Sequence, residues 1–238
     1  AIMREGGKIL AQVLQELSEM IQPGITTRDI DVRAKALILA SGAKTAFEGY
    51  GGFPGTVCTS VNEEVVHGIP GDRELKEGDI ITLDIGLIWK GYYLDMARTY
   101  PVGEITDEVK HLLQTTKKAL RLGTKNVKIG NTIGDIGNVI QRHVESQGYG
   151  LVRDLCGHGI GRSLHEDPQI LNYGDRHTGA EIQVGMVLCI EPMVTMGDWE
   201  VEKMSDGHTY VTKDGSLNCQ FEDTIAVTEK GAEVLTKI

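Results

Sequence analysis

The chain has 238 residues, 40% hydrophobic and 24% charged, with 34 acidic against 24 basic side chains and a formal net charge of −10. Its length allows one large domain or two small ones, no run approaches the roughly 18 apolar residues of a membrane span, and the acidic balance opposes the basic stripe that a nucleic-acid partner requires. Four widely spaced cysteines, Cys58, Cys156, Cys189 and Cys219, form no C-x-x-C pair, so buried free thiols in a reducing cytoplasm are expected rather than a disulfide framework or a thiolate zinc site.

Ala1 to Gly7 do not read as a secretory leader. Residues 2–21 read as an amphipathic helix, with Ile2, Gly6, Ile9, Leu10, Val13, Leu14, Leu17 and Ile21 on one stripe; Pro23-Gly24 stops it. Thr27 is the expected cap of a second helix over about 28–41, ended by Gly42. Gly49 to Gly55 read as an irregular loop, and residues 56–66 hold a short strand. After the turn Glu77-Gly78-Asp79 comes the strongest strand signal, over 80–100. Helices are expected over 106–122 and 132–147. A glycine-rich stretch over 150–161 surrounds His158. A short buried strand covers 186–194, an alternating strand covers 217–227, and a helix over 229–236 closes the chain. Two helices followed by strands, twice over, imply two halves of similar build in one α+β domain over 1–238, with a mainly antiparallel sheet.

Lys90-Gly91 is the turn candidate inside 80–100. With a two-residue loop, Trp89 faces Tyr92, Leu87 faces Leu94 and Ile85 faces Met96, and this apolar side should pack on the core. Asp84 then lies opposite Ala97, and Asp95 opposite Gly86. The two carboxylates share the other face as diagonal neighbours, about 7–8 Å apart at Cα. Aspartate suits strands poorly, and converging carboxylates raise a pKa unless a cation relieves them. The tiny residues opposite leave room for one. Two solvated surface aspartates are the alternative.

His158 sits between glycines, where a ligand can approach closely, and a neutral imidazole is a common metal ligand. Glu191 ends the apolar run 186–190, a costly place for an unpaired carboxylate. Glu222 shares a strand face with Gln220, Thr224 and Ala226, away from the mostly apolar face of Cys219, Phe221, Ile225 and Val227. A salt bridge is the alternative for each glutamate. Four carboxylates and one neutral imidazole carry −4, which two divalent cations balance. Such oxygen-rich ligation suits a binuclear hydrolytic centre of manganese, iron, cobalt or zinc.

In this order, Asp84, Asp95, His158, Glu191 and Glu222 resemble the metal ligands of type I methionine aminopeptidases. So do their surroundings: residues 61–70 (VNEEVVHGIP), 157–161 (GHGIG), 164–168 (LHEDP), 190–193 (IEPM) and 220–222 (QFE). The resemblance implies the pita-bread fold, pseudo-twofold, with the metals in its central cleft. It implies removal of the initiator methionine from nascent polypeptides when the next residue is small, by a cytoplasmic monomer working near the ribosome. It further implies that Asp84 chelates one ion, that His158 and Glu191 hold the other, and that Asp95 and Glu222 bridge them. His67 and His165 would contact the scissile amide, and Glu191 would accept a proton from the attacking water. The methionine pocket would use Tyr50, Phe53, Cys58 and His67, with Phe47, Leu164 and His165 nearby. Three positions depart from the pattern: His208 stands where tryptophan is usual, at the pocket, Leu164 stands for phenylalanine, and Asp223 stands for a histidine after Glu222. Asp223 is expected to point away from the metal face. Two alternatives share the fold: an X-Pro aminopeptidase or dipeptidase, and a non-catalytic binding protein. The first is expected to carry an additional N-terminal domain, which these residues do not include. The second is expected to have lost ligands, and all five are kept.

Overall fold

The computed structural model describes Ala1 to Lys237; Ile238, the last residue of the domain expected over 1–238, lies outside the described residues. The elements run α1 (Ile2–Ser18), α2 (Thr27–Ala40), β1 (Lys44–Thr45), β2 (Val57–Val61), β3 (Glu64–Val66), β4 (Ile80–Trp89), β5 (Tyr92–Pro101), α3 (Asp107–Asn126) and α4 (Ile133–Ser146). They continue with β6 (Gly150–Leu151), β7 (Gly157–Gly159), β8 (Glu166–Ile170), β9 (Val187–Ile190), β10 (Met193–Thr195), β11 (Val201–Lys203), β12 (Tyr210–Thr212), β13 (Asn218–Gln220), β14 (Asp223–Thr228) and β15 (Gly231–Val234).

The amphipathic stripe of α1 buries Gly6, Leu10, Val13, Leu14 and Leu17. Each fully buried leucine contributes about 1.5–3 kcal/mol. These side chains pack with Ile30, Ala34 and Ile38 of α2 on Val57, Ile81, Leu83, Ile85, Leu87, Leu94 and Met96 of the first sheet. A second core joins Leu112, Ala119 and Leu120 of α3 and Ile136, Ile140 and Val144 of α4 to Leu188, Ile190, Val194, Cys219 and Ile225. The chain thus builds two helix-covered sheets, as the repeated pattern of helices and strands predicts. Every strand pair is antiparallel: β5 and β2 flank β4, with β1 also on β4, and the largest sheet runs β15-β14-β9-β7-β8.

The β4–β5 hairpin has the register expected of it. Trp89 pairs with Tyr92, Asp84 with Ala97 and Gly86 with Asp95. Lys90 and Gly91 both take positive φ, +50° and +84°, as the tight two-residue turn requires. The two halves meet along β5 and β14. The Glu222 N–H donates to the Ala97 carbonyl at 2.8 Å, and the Thr224 hydroxyl accepts from the Asp95 N–H at 3.0 Å while donating to the Asp95 carbonyl at 2.7 Å.

Several expected boundaries are corrected. The first helix ends at Ser18 rather than 21, before Pro23. Thr26, not Thr27, caps α2, because its hydroxyl accepts the Asp29 N–H and the Asp29 carboxylate accepts the Thr26 N–H, each at 3.1 Å, a reciprocal box. The strand expected over 186–194 is two strands broken at Glu191-Pro192, and that over 217–227 breaks at Phe221-Glu222. Residues 229–236 are no helix. Gly231 at φ +103° closes a hairpin in which Ile225 pairs with Val234 and Val227 with Ala232. Pairing with β14 overrides the helix propensity of Glu, Ala and Leu there.

Candidate metal centre and the cleft above it

All the residues expected in the site line one cavity of about 220 Å³ between the halves: Asp84, Asp95, His158, Glu191 and Glu222 at its floor, with Phe47, Tyr50, Phe53, Cys58, His67, Leu164, His165 and His208 around them. The hairpin register puts Asp84 and Asp95 on one face. Glu222 enters from the break between β13 and β14, His158 from β7, and Glu191 from the end of β9. The interruptions that split two expected strands are therefore the places where the glutamates turn into the cleft.

Three of the converging carboxylates each leave an oxygen unsatisfied. Asp84 Oδ1, Asp95 Oδ1 and Glu222 Oε1 are buried with no hydrogen-bond partner, a costly state for acceptor-only groups. One oxygen from each of Asp84, Asp95 and Glu222 lies within 4.8 Å of the other two, and Glu222 forms a second such group with His158 and Cys189. His158 Nδ1 is 2.8 Å from the Gly159 carbonyl, so it donates there and leaves Nε2 as the acceptor nitrogen, 3.7 Å from Glu191 Oε1. Gln220 Nε2 donates to Glu191 Oε2 at 3.1 Å. Among the described residues no lysine or arginine lines the cavity.

Burial pushes the Asp84 carboxyl up to about 7. Burial, then the charges of neighbouring carboxylates, pushes Asp95, Glu191 and Glu222 well above the usual range. Burial also holds His158 and His67 down at about 4, which keeps both neutral near pH 7. Four buried carboxyls that resist ionising alone, beside an imidazole with a free nitrogen, are the donor set that divalent cations complete. The residues present therefore fit a metal centre.

The histidines over the floor are held individually. His165 stacks edge-on against His158, with ring centroids 4.4 Å apart, and its Nδ1 is 2.9 Å from the Tyr50 hydroxyl. His67 sits at φ +58°; its neighbour Gly68 is anchored by the Thr59 N–H and the Ser60 hydroxyl of β2. Phe47, Phe53, Cys58 and Leu164 form an apolar wall. His208 meets Phe53 edge to face at 5.6 Å. Gly86 leaves space for that wall rather than for a cation, because a Cβ there would stand 2.7 Å from the Phe47 ring. Asp223 points away from the floor to Arg98 (2.5 Å) and the Thr236 hydroxyl (3.0 Å), as alternation predicts.

The sequence reading missed three residues as parts of the site. Gln220 holds Glu191, and Thr224 holds the Asp95 backbone; both were already on the face of Glu222. Cys189 was read only as a buried thiol. Its position two residues before Glu191, in the strand that leads into it, is the signal that places it on the same side.

A profile of metallopeptidase family M24 matches residues 1–229. The chain belongs to this family. M24 membership makes it a metal-dependent peptidase, and among its relatives are methionine aminopeptidases. It is 48% identical over 237 residues to methionine aminopeptidase 1 of Bacillus subtilis, covering 100% of this chain and 96% of that one. It is also 48% identical to methionine aminopeptidase A of Synechocystis, covering 98% and 93%. The crystal structure of methionine aminopeptidase from Thermotoga maritima matches with a TM-score of 0.98 at 47% identity, covering 100% of this M24 chain and 96% of that structure. Prolidase from Pyrococcus furiosus matches with a TM-score of 0.78 at 23% identity over 63% of its length, a likeness of fold alone. The two helix-covered halves around one cleft are thus the expected pita-bread architecture.

Proposed function

We propose that this M24 peptidase removes the N-terminal methionine of nascent polypeptides when the second residue is small. The observation that carries this reading is the apolar wall of Phe47, Phe53, Cys58 and Leu164 set directly beside the carboxylate–imidazole floor. A slot of aromatics and a sulfur suits a thioether side chain, and an N-terminal residue seated there brings its peptide bond over the floor.

Asp84 would hold one divalent ion and His158 with Glu191 the other, bridged by Asp95 and Glu222; cobalt, manganese, iron and zinc all suit this donor set. When bound, such a pair lowers the pKa of water and polarises the scissile carbonyl. Glu191 takes the proton of the attacking water at a carboxylate oxygen and returns it to the departing amine as the C–N bond breaks. His67 and His165, neutral imidazoles, face the amide from above and donate to the oxygen as charge develops on it. The Tyr50 hydroxyl orients His165 through Nδ1. His208 and Phe53 close the pocket edge.

Both cores contribute to the one cleft, which supports reading 1–238 as a single catalytic domain. No described helix is long and apolar enough to cross a membrane. The reading is completed by a cytoplasmic monomer that meets its substrates close to the ribosome, with no nucleic-acid or membrane partner of its own.

Hydrolysis of Met-Ala-Ser beside an X-Pro dipeptide, with metal-stripped protein titrated with manganese or cobalt, tests the reading. Free methionine should appear only with metal, and the X-Pro dipeptide should survive. Cleavage of the X-Pro dipeptide instead would move the chain to the prolidase-like branch, and no cleavage of either would remove the assignment.

A further inference from the structure

Cys189 is buried directly behind the floor of the cleft, not among the residues that line it, and takes no part in the reaction outlined above. Its place in β9 pairs it with His158 on one side and Thr224 on the other, so the three side chains share one face, and Glu191 joins that face two residues on. The thiol is fully buried. Its Sγ, a ring nitrogen of His158 and a carboxylate oxygen of Glu222 lie within 4.8 Å of one another. Zinc–sulfur and zinc–nitrogen bonds of about 2.3 Å and 2.0–2.1 Å put two donors of one cation at most about 4.4 Å apart, so the three side chains close around an ion with a small inward adjustment.

Two observations besides the thiol point to a ligand. Glu222 is 2% exposed, and its Oε1 has no hydrogen-bond partner. His158 Nδ1 is already committed to the Gly159 carbonyl, which leaves its other nitrogen free. One contact of Cys189, 3.6 Å from Thr224 Oγ1, is with a hydroxyl whose proton already goes to the Asp95 carbonyl. The thiol is therefore the donor in that contact, and its sulfur keeps its lone pairs.

We propose that Cys189 is a ligand reserved for soft cations: when zinc, cobalt or cadmium sits between His158 and Glu222, the Cys189 sulfur joins them. The S–H bond breaks, the proton passes to the solvent, and a sulfur–metal bond forms. A hard ion such as manganese does not recruit the sulfur. The centre then ranks metals by softness as well as by size, because thiolate selects thiophilic ions where carboxylate does not. This inference rests on the reading that His158 and Glu222 hold metal.

The test loads the full-length, metal-stripped chain with cobalt or cadmium and compares it with Cys189→Ser and Cys189→Thr, the latter a β-branched residue at home in a strand. The cobalt-loaded parent should show a thiolate-to-cobalt charge-transfer band in the near ultraviolet, and both variants should lack it. Cadmium affinity should fall by about 10–100-fold in the variants, the range seen when supporting groups of a metal site are lost, while manganese affinity stays where it was. Cobalt bound by the parent without that band, or cadmium affinity equal in all three proteins, overturns the proposal and leaves Cys189 as a member of the apolar cluster that holds Phe47 and Leu164. If none of the three binds cobalt or cadmium, the reading of the floor as a metal centre falls, and the ligand falls with it.

Discussion

Asp95 stands where the demands on the floor are greatest. It is 4% exposed, one of its oxygens is unpartnered, and its carboxylate faces those of Asp84 and Glu222. Asp95→Asn keeps the shape and removes the charge. It is expected to lose metal and activity together, with metal affinity down by at least about 10–100-fold, measured by calorimetric titration; a variant that still holds two ions tightly would refute a bridging role. His67 should behave differently. Its backbone is anchored through Gly68 on β2 and its ring is off the floor group, so His67→Ala should spare metal binding and lower turnover by about 10²-fold or more, as loss of a positioned proton donor does. Loss of metal in His67→Ala would show that its role is structural support of the ligands. Both residues were legible from motif and alternation. The left-handed backbone of His67 was not, because it depends on hydrogen bonds to β2 that no local pattern announces.

At the scale of the element, the β4–β5 hairpin was the most readable part of the chain. A period-2 pattern on both arms and one Lys-Gly turn leave a single register that buries the apolar side. The pattern did not give the reason for Gly86. Its missing side chain is filled by Phe47, with Ala46 3.1 Å from where a Cβ would be. Gly86→Ala should therefore destabilise by about 1–3 kcal/mol through overpacking, read from urea unfolding, and should push Phe47 into the cleft. An unchanged midpoint would mean that the Phe47 ring swings clear. The segment 229–236 and the position of Cys189 were harder to read for one physical reason: both depend on strand pairings between distant parts of the sheet. Nothing in Glu-Lys-Gly-Ala-Glu-Val-Leu-Thr says that it returns along β14. Nothing near residue 189 says that 158 and 224 flank it.

For the molecule as a whole, the buried titratable groups pull stability in opposite directions. His67 and His158 fold with values near 4 against an ordinary 6.5. As pH falls below about 6.5 the unfolded chain takes up protons that the folded chain refuses, and their contribution is lost toward pH 4. Asp84 folds near 7 against 3.8. Its contribution is present in acid and is lost as pH rises through 7, and the other three carboxyls extend that loss upward. Between about 4 and 6.5 the trends oppose; above 6.5 the carboxyls alone remain. The metal-free protein should therefore show a falling Tm from about pH 6.5 to 8, and manganese should raise Tm more at pH 8 than at pH 6, where protons compete for its ligands. A metal-free Tm that climbs over that interval would contradict the buried-carboxylate floor. The seam between β5 and β14 adds a matter of timing. Asp84 and Asp95 are in place once residues 80–101 have paired, but Glu222 is set by the Ala97 carbonyl and by strands near the far end of the chain. A polypeptide synthesised only as far as residue 200 contains four of the five floor residues and lacks Glu222. A molecule proposed to trim chains as they emerge is thus idle until its own β13 and β14 have emerged, and its first turnover waits for Glu222 between them.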